Sequence, residues 1–119
     1  MNLVRGRGEM NKPATSRRHQ RHEISTGLHV TVRVGQQRSL RGRSLNISEG
    51  GISGIFVKAW DVGTPVDIEF SVPTTSSPVR VGGVVRSHSG HCCGFEFVDL
   101  SPDQREVISK TCRTLALLH

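Results

Sequence analysis

Two groups of residues in this chain have the types and spacing of an anion-binding site. Asn46 and Ser48 stand two apart and are followed by Gly50-Gly51. On a strand the first two share a face, because side chains alternate. Both are short polar groups able to bond a ligand edge or nearby backbone. The glycines allow the main chain a positive φ, or allow a ligand close to the backbone. Upstream lies Arg17-Arg18-His19-Gln20-Arg21. Arg17 and Arg21 are four apart, on one side of either a helix or an extended segment. Two planar guanidinium forks and a small polar corner suit an anion with planar, acceptor-rich parts. Taken singly, each group also fits a plainer role: the arginines as solvated charges in a basic terminus, and Asn46-x-Ser48-x-x-Gly51 as an ordinary turn.

Other chemistries find less support. His88, His91, Cys92 and Cys93 include metal-ligating types, but structural zinc sites take spaced pairs from two elements, and adjacent cysteines on a strand face opposite ways. One of the pair is expected to pack inward as a small hydrophobe and the other to sit at the surface. Neither has a recognisable base or oxyanion donor. His19, His22, His29 and His119 read as polar surface residues. There is no GxxxxGK loop, no HExxH and no paired-carboxylate arrangement. The expectation is a binding protein, not an enzyme, with no metal and no cofactor.

Charge is unevenly distributed. Ten of the 16 Lys and Arg lie before residue 51, against three acids there, so the first fifty residues carry +7 while the remainder carries −1. A localised basic end implies an anionic partner more than a uniformly basic surface would. Aromatics are scarce, with four Phe, one Trp and no Tyr. That weakens a nucleic-acid reading, because single strands need stacking platforms. Three cysteines, two of them adjacent, make a poor disulfide framework and point to a reducing cytoplasm. No apolar run is long enough for a signal peptide or membrane span.

The elements that must position the site follow from periodicity. Residues 1–16 are expected to be a disordered basic tail, and 17–25 a polar lead-in. Leu28 to Val34 alternates apolar and polar as a half-buried strand. Gly35-Gln36-Gln37 turns the chain into a second strand, Arg38 to Ile47, and Gly51 to Lys58 forms a third. After a turn at 61–65, Val66 to Val72 alternates as a fourth. Val79 to Ser87 is a fifth, with Gly82-Gly83 suggesting a bulge or sharp bend, and His91 to Val98 is a sixth. Ser101 is a good N-cap, Pro102 fits the first helical position and Asp103 suits the positive dipole end. Val107, Ile108, Cys112, Leu115 and Leu118 then form a helical stripe. Six short strands and one helix in 119 residues predict an all-β domain: a six-stranded antiparallel barrel with a C-terminal helix.

The same residues carry a resemblance. Arg17-x-x-x-Arg21 followed by Asn46-x-Ser48-x-x-Gly51 resembles the signature of PilZ domains, which bind the bacterial second messenger cyclic di-GMP. The likeness runs over about residues 17 to 110. It takes in Val62-Gly63-Thr64-Pro65-Val66, Gly83-Val84-Val85-Arg86, Gly94-Phe95-Glu96-Phe97 and the closing helix. One departure is a second Gly-Ile step, Gly54-Ile55, after Gly51-Ile52, which leaves the third strand's register open. The resemblance implies a split barrel over 17–119 and a cyclic di-GMP site at Arg17, Arg21, Asn46, Ser48 and Gly51, with Arg18 and Gly50 as additions. Arginine forks can meet guanine N7 and O6 or phosphate oxygens, and Asn46 could accept from guanine N1 and N2 hydrogens. Output is expected through a downstream protein or self-association. The alternatives are a PilZ-like interaction module without nucleotide binding, and a basic small barrel that binds nucleic acid.

Overall fold

The fold is a computed structural model that describes residues 22–23, 28–72 and 77–118. In chain order the elements are β1 (His22–Glu23), β2 (His29–Arg33), β3 (Leu40–Ile47), β4 (Gly51–Ile55), β5 (Pro65–Phe70), β6 (Val79–Ser89), β7 (Cys92–Val98) and α1 (Pro102–Leu118). All pairings are antiparallel. The sheet runs β1-β3-β2-β5-β6-β7-β4, and β4 returns to β3. Six strands therefore close into a barrel without a free edge, and β1 is added alongside the end of β3. The expected tail at 1–16 and the residues Arg17, Arg18 and Arg21 lie outside the described residues.

Alternation builds the barrel as expected. Val30 and Val32 of β2, Ile68 and Phe70 of β5, and Phe95 and Phe97 of β7 point inward and are buried. The turns use glycine where the backbone demands it: Gly35, Gly63 and Gly90 have φ of 56°, 96° and 59°. The third strand is shorter than its apolar run suggested. It ends at Ile55 because Phe56 turns into the barrel, its N–H donating to His91 O at 2.9 Å. Its ring meets Trp60 and Phe95 edge-on, with centroids 5.3 and 5.7 Å apart. Val57 is left exposed.

The expected irregularity at Gly82-Gly83 lies elsewhere. Both glycines pair regularly with β5 and β7. The register shifts instead between Val85 and Ser87 on β6, and between Ser44 and Asn46 on β3. Gly83 serves packing, since a Cβ there would stand 2.6 Å from Ile68 Cδ1.

The helix begins as its sequence indicates, with a reciprocal cap. Gln104 N–H donates to Ser101 Oγ at 3.1 Å, and Ser101 N–H to Gln104 Oε1 at 2.7 Å. Ile108, Thr111, Cys112 and Leu115 are buried. Thr111 joins the expected stripe because its hydroxyl is satisfied within the helix, donating to Val107 O at 2.8 Å. The helix packs against β1 and β6.

One buried polar contact holds Leu28 at the start of β2. Ser44 N–H donates to Leu28 O at 2.8 Å, Leu28 N–H donates to Ser44 Oγ at 3.0 Å, and Ser44 Oγ–H donates back to Leu28 O at 3.2 Å. Ser44 is buried, so Ser44→Ala would leave the Leu28 amide short of a partner. The expected loss is about 1–2 kcal/mol of unfolding free energy, read from urea unfolding; an unchanged midpoint would mean that water replaces the hydroxyl.

Candidate functional site

The Ser48–Gly51 corner is a tight hairpin between β3 and β4. Ile47 pairs with Ile52, and Ser48 N–H donates to Gly51 O at 2.8 Å, leaving Glu49-Gly50 at the tip. Ser48 Oγ accepts from Gly50 N–H at 3.2 Å. Gly50 O accepts from Phe97 N–H at 2.9 Å, which ties the tip to β7. Ile47 is fully buried in the core, so Asn46 and Ser48 stand on the outer side of the wall, as their spacing suggested. They differ in access: Asn46 is half-buried, whereas Ser48 is 3% exposed.

Of the two roles expected of the corner glycines, positive φ is not used. Neither Gly50 nor Gly51 has φ in the left-handed region. Gly51 is needed because β7 passes close by: a Cβ at this position would lie 2.2 Å from Phe95 O. Gly54 is needed as well, for a Cβ there would lie 2.7 Å from Arg43 O. The open register is thus settled, with Gly51 opposite Glu96 and Gly54 opposite Cys93.

Of the lead-in, only His22 and Glu23 are described, and they form β1. His22 pairs with Ile47 and Glu23 with Asn46, on the side of β3 away from β4. Arg21 directly precedes His22 in the chain. Periodicity could not reveal β1, because two residues are too few to show it.

Sequence reasoning also assigned no role to the outer wall beside the corner. Asn46 on β3, Ser53 on β4, Gly94 on β7 and Ser87 on β6 are successive Cα partners, forming one row across four strands. The two register shifts, at Leu45 and Arg86, flank this row at its two ends. Bulges re-aim side chains and are common beside functional sites. Arg86 Nε lies 2.5 Å from Glu96 Oε1 across the outer face of β7.

Elsewhere the surface is less suggestive. An open groove of about 440 Å³ over β2, β5 and β6 contains Arg33 and Arg80, each paired to a carboxylate, Asp67 at 3.2 Å and Glu69 at 2.9 Å. Its charges are matched internally, and it shares no residue with the corner. All four Phe and Trp60 are buried, so neither phenyl nor indole is available to stack on a base. Cys93 is buried and Cys92 exposed. The His91 ring contacts Phe56 O at 3.1 Å. Among the described residues no helix is long and apolar enough to cross a membrane.

Comparison with known proteins gives a consistent picture. Residues 15–113 match the family profile described as PilZ domain. No curated protein matches the chain. Among solved structures, the inhibitor of motility MotI/DgrA of Bacillus subtilis is similar at 18% identity, over 85% of this chain and 51% of that one, with a TM-score of 0.72. The PilZ domain of YcgR from Escherichia coli, solved with c-di-GMP, matches at 16% identity over 84% of this chain and 91% of that one, with a TM-score of 0.68. YcgR in complex with c-di-GMP matches at 18% identity over 84% of this chain and 46% of that one, at 0.72. The chain thus spans about half the length of MotI and of the longer YcgR chain.

The helix side of the corner has a measurable electrostatic signature. Burial, and secondarily the charge of Glu49, pushes the Cys112 thiol up to about 11 from its ordinary 9.0. In the unfolded chain this thiol ionises near 9.0, while in the folded protein it stays protonated to about 11. Folding therefore opposes ionisation, and stability should fall as pH rises from about 9 to 11. Denaturant unfolding of wild type and Cys112→Ser across that range should show a steeper decline in the wild type. Equal slopes would contradict the assigned environment.

Proposed function

This chain belongs to the PilZ domain family, and on that premise we propose that it is a receptor for cyclic di-GMP. The observation that carries the reading is the pairing of β1 with β3, which sets His22 and Glu23, the residues that follow Arg21 in the chain, beside Ile47 and Asn46. The solved YcgR relatives hold c-di-GMP.

The proposed division of work follows from residue chemistry. Arg17 and Arg21, with Arg18 in support, meet the phosphates and the N7/O6 edge of a guanine through paired, charge-assisted bonds. A guanidinium plane also serves as the stacking surface that the buried aromatics cannot supply. Asn46, half-buried on the outer wall, offers an amide to a guanine edge. Ser48 and Gly51, with Gly50, shape the hairpin that holds Asn46 in position; the Ser48 hydroxyl already accepts from Gly50 and keeps its own proton to donate. No step of covalent chemistry is involved.

Signalling in this reading comes from ligand-dependent ordering of the Arg17–Arg21 segment against the corner, which alters the surface shown to a partner protein or a second copy. Its size is limited by the ligand's differential affinity for the two arrangements. A protein-interaction module without nucleotide binding would present the same fold and give no ligand response. A polyanion-binding barrel would show steep salt dependence and little preference for the dinucleotide.

Isothermal titration with cyclic di-GMP at fixed salt separates these readings. Micromolar or tighter binding is expected, weakened at least tenfold in Arg21→Ala, which loses charge-assisted bonds worth about 1.5–3 kcal/mol, and severalfold in Asn46→Ala, which loses neutral bonds of about 1 kcal/mol each. No heat from folded wild-type protein would overturn the receptor reading.

A further inference from the structure

Resting on the receptor reading, we infer that Glu96, aimed by Arg86, reads the donor edge of the second guanine of the dinucleotide. Cyclic di-GMP has two identical bases, whereas the corner supplies one amide, Asn46. Each guanine presents N1–H and N2–H donors that need an acceptor if they leave water. A carboxylate is the strongest acceptor available to such an edge.

Glu96 is in the right place to be that acceptor. It faces outward on β7 and pairs with Gly51, so the neighbouring position on β4 carries no side chain beside it. Asn46 and Glu96 lie on strands separated only by β4. Two strand spacings, together about 10 Å, and an offset of two residues along β7, about 7 Å, put them roughly 12 Å apart, a span that two bases of one ligand can bridge. Ser53 and Gly51, between them on β4, are small.

The bulge on β6 explains how the carboxylate is held. Arg86 falls within the register shift, and its side chain reaches over β7 to Glu96. Only Oε1 is engaged, and neither residue has a further side-chain partner among the described residues. Oε2 therefore remains available to accept. Both side chains are substantially exposed, so the pair adds little to stability. Its position is better explained by orientation than by support of the barrel.

The pair also gives the site a direction. β1, which follows Arg21 directly in the chain, pairs on the far side of β3, and Glu96 stands on the opposite side of β4. A ligand with two phosphates is repelled by Glu96 and drawn to the arginines. Its neutral, donor-bearing guanine edge is the part that can approach the carboxylate. Glu96 thus disfavours the reversed orientation and bases with fewer of those donors: adenine, which has neither, and hypoxanthine, which lacks the 2-amino group.

The test compares cyclic di-GMP with cyclic di-IMP, which keeps both phosphates but lacks both 2-amino groups. Wild-type protein is expected to prefer cyclic di-GMP at least tenfold. Glu96→Gln should lower that preference severalfold, the Asn46 contact to the first guanine keeping the remainder, with thermal unfolding unchanged. Arg86→Ala, which removes the positioning partner, should lower the preference in part, and Arg86→Lys should restore some of it. A merely structural pair would shift the melting temperature and leave the preference intact. If wild type binds cyclic di-GMP but Glu96→Gln retains the full preference, this inference fails and the receptor reading stands. If wild type binds neither nucleotide, both fail.

Discussion

The last two residues of β3 are paired on both sides. Asn46 and Ile47 meet Ser53 and Ile52 of β4 on one edge, and Glu23 and His22 of β1 on the other. Most of the site's geometry depends on that double pairing. It closes the barrel, it points Ile47 into the core, and it fixes Asn46 on the outer wall. It also sets His22 and Glu23, which follow Arg21 in the chain, beside the polar corner.

A domain this small has few large side chains with which to fill a core. All five aromatic rings are built into it, in a Phe56–Trp60–Phe95 cluster and a Phe70–Phe97 stack. The outer wall beside the corner is left with glycine, serine, asparagine and an Arg–Glu pair. Any flat, apolar recognition of a base there must come from guanidinium planes. The same closeness of strands makes the signature glycine a structural necessity: Gly51 leaves room for the Phe95 carbonyl, and a ligand need not touch it for alanine to be disfavoured.

Much of this arrangement was legible in the sequence. Alternation located the six strands, because one face of each meets a core, and the Ser101–Asp103 start announced the helix. The adjacent cysteines split inward and outward as strand geometry requires. What could not be read locally were features set by distant partners. The strand β1 is too short for a periodic signal. The register shifts lie at Leu45 and Arg86, while the conspicuous Gly82-Gly83 pair turns out to be regular strand, because backbone clearance at Gly83 is demanded by Ile68. The third strand stops early because Phe56 leaves it for the core. Arg86 and Glu96 are ten residues apart and meet only because β6 and β7 fold back on each other.

The most direct test is a backbone amide chemical-shift titration with cyclic di-GMP on isotopically labelled protein. Shifts concentrated at Arg17 to Glu23, at Asn46 to Gly51 and along the Ser53–Gly94–Glu96 strip are the expected result, since all three would border one ligand. Saturable shifts confined to the groove of Arg33, Asp67 and Arg80, or an unchanged spectrum, would contradict the convergence of lead-in and corner on a single site.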